Sequence, residues 1–222
     1  ILAGFPFFED WGRDTMIALT GCCLSTGRFE DAKSILRTFL AYEKDGLVPN
    51  LFPEGDQAPM YNTVDAALLL IDAVWQYVQR TGDWAFAWEA WEPMSHIITN
   101  YRKGTRHGIG MDEDGLIFAG QGLDQVTWMD VCVQGILPTP RHGKPVEINA
   151  YWYNALRIMD KLSETLNCDQ KDFAELAEQV KESFVKKFYM SEKGYLKDVI
   201  SGTDADDQIR CNQIWALSMP FT

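Results

Sequence analysis

Apolar residues recur at helical spacing in successive pairs of segments, and the two members of each pair differ in how far round the helix that surface reaches. The first segment, about Thr15 to Leu24, is small or apolar nearly all round (Met16, Ile17, Ala18, Leu19, Cys22, Cys23) and follows a candidate N-cap, Asp14. Its partner, Phe29 to Glu43, carries one stripe of Ala32, Ile35, Leu36, Phe39 and Leu40, with Asp31, Lys33 and Arg37 off it. Val64 to Arg80 repeats the first type, apolar through Ala66 to Ile71 and stopped by Thr81-Gly82-Asp83. Its partner is predicted to open at Pro93 and to face the core with Met94, Ile97, Ile98 and Tyr101. Val146 to Leu166 is apolar on most sides, and Asn167 and Asp169 break it. Lys171 to Phe188 sets Phe173, Leu176, Val180, Phe184 and Phe188 against Glu175, Glu178, Lys181 and Lys186. Arg210 to Gln213 then open a seventh, apolar helix at Ile214. Helices apolar all round are buried on every side and striped ones keep one wet face. The pattern therefore predicts an all-α chain, residues 1–222 forming one domain portion, with buried helices inside and amphipathic ones outside. A helical solenoid alternates in the same way, but these hairpins lack a fixed residue period.

The net charge of −12, from 20 basic and 32 acidic side chains, argues against nucleic acid or an anionic membrane as partner. No apolar run reaches the roughly 20 residues of a membrane span. Five scattered cysteines (Cys22, Cys23, Cys132, Cys168, Cys211) form neither a disulfide framework nor a zinc motif, as in a reduced, cytoplasmic protein. His96, His107 and His142 are isolated, so no metal or cofactor is expected.

Between the second and third pairs lies a connection with little helical pattern, roughly Gly104 to Val146. Asp112-Glu113-Asp114-Gly115 reads as a turn joining two short strands within Met111 to Phe118. Further on, Val126-Thr127-Trp128-Met129-Asp130 places a carboxyl group beside an indole. Stacking on an aromatic face gives affinity for a pyranose ring, and apolar surroundings can keep a carboxyl protonated as a general acid. An aspartate that ends a turn or caps a helix satisfies the same pattern. A later loop holds Gly194, Gly202 and the acidic run Asp204, Asp206, Asp207.

Polar and aromatic clusters also sit at or before the starts of the inner helices: Trp11/Arg13/Asp14, Tyr61/Asn62/Asp65, Glu147/Asn149/Trp152 and Arg210/Asn212/Gln213. In a concentric arrangement these starts point to one end and would ring a single pocket. Helix N-termini carry unsatisfied N–H groups suited to hydroxyl-rich ligands, although capping explains any one cluster alone.

Trp11-Gly12-Arg13-Asp14-Thr15, Tyr61-Asn62-Thr63-Val64-Asp65, Thr127-Trp128-Met129-Asp130 and Thr139-Pro140-Arg141 with Gly143 to Ala150 occur in this order along the chain. Together they resemble the amylo-α-1,6-glucosidase domain of glycogen debranching enzymes, over essentially the whole length. The resemblance implies an (α/α)6 barrel, of which six to seven helices are present, and an inverting glycoside hydrolase without a cofactor. It implies removal of the glucose left at an α-1,6 branch of glycogen or limit dextrin. Asp130 is then the general acid, and Arg13-Asp14 is similar to the pair that grips the terminal glucose in glucoamylase-type barrels. Trp11, Tyr61, Asn62, Asp65, Trp128, Glu147, Asn149, Arg210 and Asn212 would line the sugar site. The catalytic base is expected beyond Thr222, with Glu147 as the fallback, and the remaining barrel would be the chain's protein partner. On that reading residues 1–222 alone have little activity. Cys211 departs from an expected Pro, and Cys132 from a common Lys. Two other classes fit the same residues: a glucoamylase-like or trehalase-like exo-glucosidase, and a non-catalytic glycan-binding module.

Overall fold

The computed structural model describes residues 1–2, 9–53, 57–168 and 172–222. Phe5, Pro6, Phe7 and Phe8 of the aromatic lead-in, Gly55, Asp169 and Lys171 lie outside the described residues. The chain divides into two compact units, Ile1–Thr99 and Asn100–Thr222. Among the described residues no helix is long and apolar enough to cross a membrane.

In the first unit, β1 (Asp10–Trp11) pairs antiparallel with β2 (Leu51–Phe52). Helix α1 (Gly12–Leu19) runs on into a π turn, Thr20–Leu24, and α2 spans Phe29–Ala41. Helix α3 (Ala66–Thr81) packs against both, as its buried run from Ala66 to Ile71 predicts. The start of α1 differs from expectation. The helix opens at Gly12, and Asp14 is an exposed residue of its first turn, not its cap. The reason is close approach: Gly12 N–H donates to Asn50 O at 2.9 Å, and a Cβ on Gly12 would lie 2.2 Å from Pro49 O. Backbone from the neighbouring loop thus does the work of a side-chain cap. Nor is α1 buried all round: Met16 and Leu19 face the core, whereas Ile17 is 46% exposed.

Helix α4 (Trp84–Lys103) holds a second correction, because Pro93 lies inside it and not at its start. Asp83 supplies the start instead, accepting the Phe86 N–H at 3.0 Å, after Gly82 ends α3 in the left-handed region at φ 70°. An interior proline costs about 3 kcal/mol. The stripe Phe86, Ala87, Ala90, Met94, Ile97, Ile98 is buried on both sides of Pro93, and that burial offsets the cost.

In the second unit, β3 (Gly110–Met111) and β4 (Ile117–Phe118) form the expected hairpin around Asp112 to Gly115. Strand β5 (Lys144–Pro145) leads into α5 (Val146–Leu166), which packs on α6 (Phe173–Phe188). The stretch read as a loop contains strands: β6 (Tyr189–Met190) pairs with β7 (Tyr195–Leu196). Strand β8 (Val199–Ser201) sits between β5 and β9 (Asp204–Asp206). A 3-10 turn, Cys211–Ile214, precedes a short α7, Trp215–Ser218.

Asp114 ties the β3–β4 turn to its surroundings. Its carboxylate accepts Lys144 Nζ at 2.7 Å, Lys187 Nζ, and the Leu116 N–H at 3.0 Å. Burial pushes this carboxyl up, but the two ammonium groups and the amide outweigh it and hold it below its ordinary 3.8. A depressed folded value means stability that is present above pH 3.8 and lost as the pH falls through the folded value. Asp114→Asn is expected to lower stability at pH 7 by about 1–2 kcal/mol and to flatten the loss below pH 4, read by urea titration at stepped pH. In the first unit, Gly12→Ala forces backbone apart and is expected to cost about 1–3 kcal/mol, read as a lowered Tm.

Candidate functional site

The loop Val126–Asp130 is closed by its own aspartate. Asp130 Oδ2 accepts the N–H groups of Val126 (3.0 Å) and Thr127 (2.8 Å), and Oδ1 accepts the N–H of Arg141 at 3.2 Å. The carboxyl is 9% exposed. It therefore ends a turn, as the plainer sequence reading held. A carboxyl offers about four lone-pair positions. Three are taken by amides, which among the described residues leaves one position on Oδ1. The loop throws Trp128 outward with 48% of its surface exposed. Its edge is fixed, with Nε1–H donating to Asn212 Oδ1 at 2.8 Å.

Behind this loop lies a buried ion cluster centred on Arg141, which is 1% exposed. Its two terminal nitrogens donate to the two oxygens of Glu147, Nη2 at 2.6 Å. Nε donates to Asp198 Oδ2 at 2.9 Å and Nη2 to Asp198 Oδ1 at 3.1 Å. Burial pulls the guanidinium down, but the carboxylates of Glu147 and Asp198 outweigh it and hold Arg141 above its ordinary value. Asp198 also accepts Arg210 Nη1 at 2.8 Å and Asn212 Nδ2 at 2.8 Å, and Arg210 reaches Asp206 at 2.5 Å. Local structure explains the assembly: α5 delivers Glu147 in its first turn, while Val146 N–H to Asp198 O (2.9 Å) joins that turn to the strand entry.

Several sequence candidates serve the fold. Asn149 is fully buried, bonds both the N–H and the carbonyl of Ile117, and donates to Pro145 O. It fastens α5 to β4, so its amide is engaged by the fold. Trp152 is likewise internal, donating to Gly115 O and stacking on Tyr101. Glu147 has both oxygens on Arg141 and no exposure, so an attacking water cannot reach it and the fallback base is unsupported. Gln213 accepts the Leu196 N–H. Asp198 was missed because a lone Asp between Lys197 and Val199 carries no motif; only its burial reveals it. A cavity of about 380 Å³ lined by Ala150, Tyr153, Phe184, Val185, Leu217 and Phe221 is apolar and includes neither Trp128 nor Asp130.

In the first unit the two leading clusters also meet. Arg13 Nε donates to Asp65 Oδ2 at 2.6 Å, and Asp65 gives up the side-chain cap of α3 to do so. Among the described residues, Asp65 Oδ1 and Thr63 Oγ1 are buried without a hydrogen-bond partner. Each such atom costs about 1–3 kcal/mol unless water or a ligand hydroxyl reaches it. Asp14 is exposed, Trp11 and Asn62 are half-buried, and Tyr61 donates its hydroxyl to Tyr42 O.

The family model for amylo-alpha-1,6-glucosidase matches residues 1–222. The chain belongs to this family. The glycogen debranching enzyme of Saccharomyces cerevisiae is 29% identical across 86% of the chain, and the chain spans 17% of that enzyme's length. Among solved structures, a GH78 family rhamnosidase of Bacillus sp. GL1 superposes with TM-score 0.69 at 20% identity, over 93% of this chain and 20% of that one. A rhamnosidase from Klebsiella oxytoca with rhamnose bound gives 0.64 at 17%, over 94% of this chain and 38% of that one. These likenesses show the fold, all-α and of the (α/α)6 glycosidase type. This family member is a glycoside hydrolase-family domain whose second unit rests on Arg141. Arg141→Met would leave Glu147 and Asp198 buried beside an uncharged chain. It is expected to destabilise the protein by about 3–5 kcal/mol, measured by urea unfolding.

Proposed function

We propose that this chain holds the glucosyl unit in a glycoside hydrolase that removes α-1,6-linked glucose at branch points of glycogen or its limit dextrin, with inversion. The observation that carries the reading is Trp128: an indole tethered at its edge, half exposed, two residues from a buried carboxyl. A tethered aromatic face is a platform for a sugar ring. Family membership supports an α-1,6 linkage in this reading. Asp130 is the proton donor in this reading, working through the position left open on Oδ1. Within the first unit, taken by itself, Arg13 and Asp65, with the unsatisfied oxygens of Asp65 and Thr63, are suited to bonding sugar hydroxyls. An inverting pair needs carboxyl groups roughly 6.5–9.5 Å apart with a water between the base and the sugar. Glu147 is enclosed by Arg141, so the reading takes the base from elsewhere in the polypeptide.

The substrate pair that tests it differs in whether the leaving group needs a proton. In the full-length enzyme, Asp130→Asn is expected to abolish glucose release from phosphorylase limit dextrin while sparing α-glucosyl fluoride, whose leaving group needs no protonation. Equal loss on both substrates would assign Asp130 to closing the loop alone. Release of glucose from linear maltosaccharides as fast as from limit dextrin would replace the α-1,6 assignment with a glucoamylase-like one.

A further inference from the structure

The indole of Trp128 is tethered, and the tether is itself oriented. The Asn212 amide lies between Trp128 Nε1 at 2.8 Å and Asp198 Oδ1 at 2.8 Å. An indole N–H only donates and a carboxylate only accepts, so the amide has one orientation: oxygen to the indole, nitrogen to Asp198. Turned over, it would set N–H against N–H and oxygen against oxygen. Asn212 and Asp198 are 1% and 2% exposed, so bulk water cannot compensate for a reversal. Asp198 cannot swing aside, because Arg141 and Arg210 hold it from two further directions. The amide nitrogen also reaches Met129 Sδ at 3.3 Å, so Asn212 touches two consecutive residues of the loop.

We propose that Asp198 is a positioning residue: through the Asn212 amide it fixes the plane in which Trp128 presents its face to a glucosyl ring. This rests on the reading of Trp128 as a sugar platform. A side chain immobilised before the ligand arrives does not lose its rotational freedom on binding, so the tether acts on affinity. A contact made equally in ground state and transition state appears in KM and leaves kcat in place. The same cluster reaches Asp130 through the Arg141 N–H, so platform and carboxyl share one rigid support.

The test is 19F NMR of the protein labelled with 5-fluorotryptophan, in which the Trp128 line among eight is assigned by Trp128→Phe. Asp198→Leu and Asn212→Leu are each expected to move or broaden that line. In the complete enzyme acting on limit dextrin, each should raise KM on the order of tenfold with kcat nearly unchanged. Asn149→Ala, a cut elsewhere in the buried polar structure of the same unit, should leave the Trp128 line in place. An unmoved line in Asp198→Leu, or an equal shift in Asn149→Ala, overturns the proposal. If Asp198→Leu does not fold, Asn212→Asp decides. It keeps an acceptor for the indole but sets like charge against Asp198, and a Trp128 line at its wild-type position would then overturn the role of Asp198. A moved line with unchanged KM upholds the positioning and overturns the platform reading, as would an unchanged KM in Trp128→Phe.

Discussion

A guanidinium taken out of water must find its compensation in fixed partners, and Arg141 finds two carboxylates and a carbonyl. That requirement organises the second unit. Glu147 comes from the first turn of α5, Asp198 from the entry to β8, and Arg141 from the irregular segment between β4 and β5. None of the three can shift without exposing another to a low-dielectric surrounding with its charge uncompensated. Replacing such a cluster by apolar side chains is often neutral or better for stability, so its presence points to specificity of geometry. Here the geometry reaches outward twice, to Trp128 through Asn212 and to Asp130 through the Arg141 N–H.

The first unit solves a smaller version of the same problem. Arg13 and Asp65 pair across the starts of α1 and α3, so two helix N-termini are joined by charge and not capped one by one. Gly12 makes this possible, since its lack of a Cβ lets the Pro49–Asn50 backbone meet the helix end directly.

The helical hairpins were legible because a helix repeats its burial pattern over ten or more residues, long enough for a stripe to be read. Helix α5, with Val146 to Leu156 all buried, and α6, with Phe173, Leu176, Val180 and Phe188 on one face, follow their sequences closely. Strands β6 to β9 were not legible, because two or three residues cannot display an alternation. The start of α4 is harder to read, because proline's preference for a first turn points to Pro93, whereas Asp83 supplies the N-terminal hydrogen bond. At the candidate site, the clusters at helix starts were visible as residue types. Whether a polar group faces a ligand or another protein group was not. Asn149 shows the difference: the same position and polarity suit a sugar hydroxyl, but its amide matches both backbone groups of Ile117.

Asp130 closes its loop with three amide contacts divided unevenly between its two oxygens. Oδ2 takes two of them at 2.8 and 3.0 Å, and Oδ1 takes one, longer, at 3.2 Å. The loop is therefore held mainly through Oδ2, and Oδ1 carries less of it. Its single amide contact comes from Arg141, the residue whose side chain anchors the cluster behind Trp128. The rigidity of the buried ions thus extends to the closed loop that carries Trp128 to the surface.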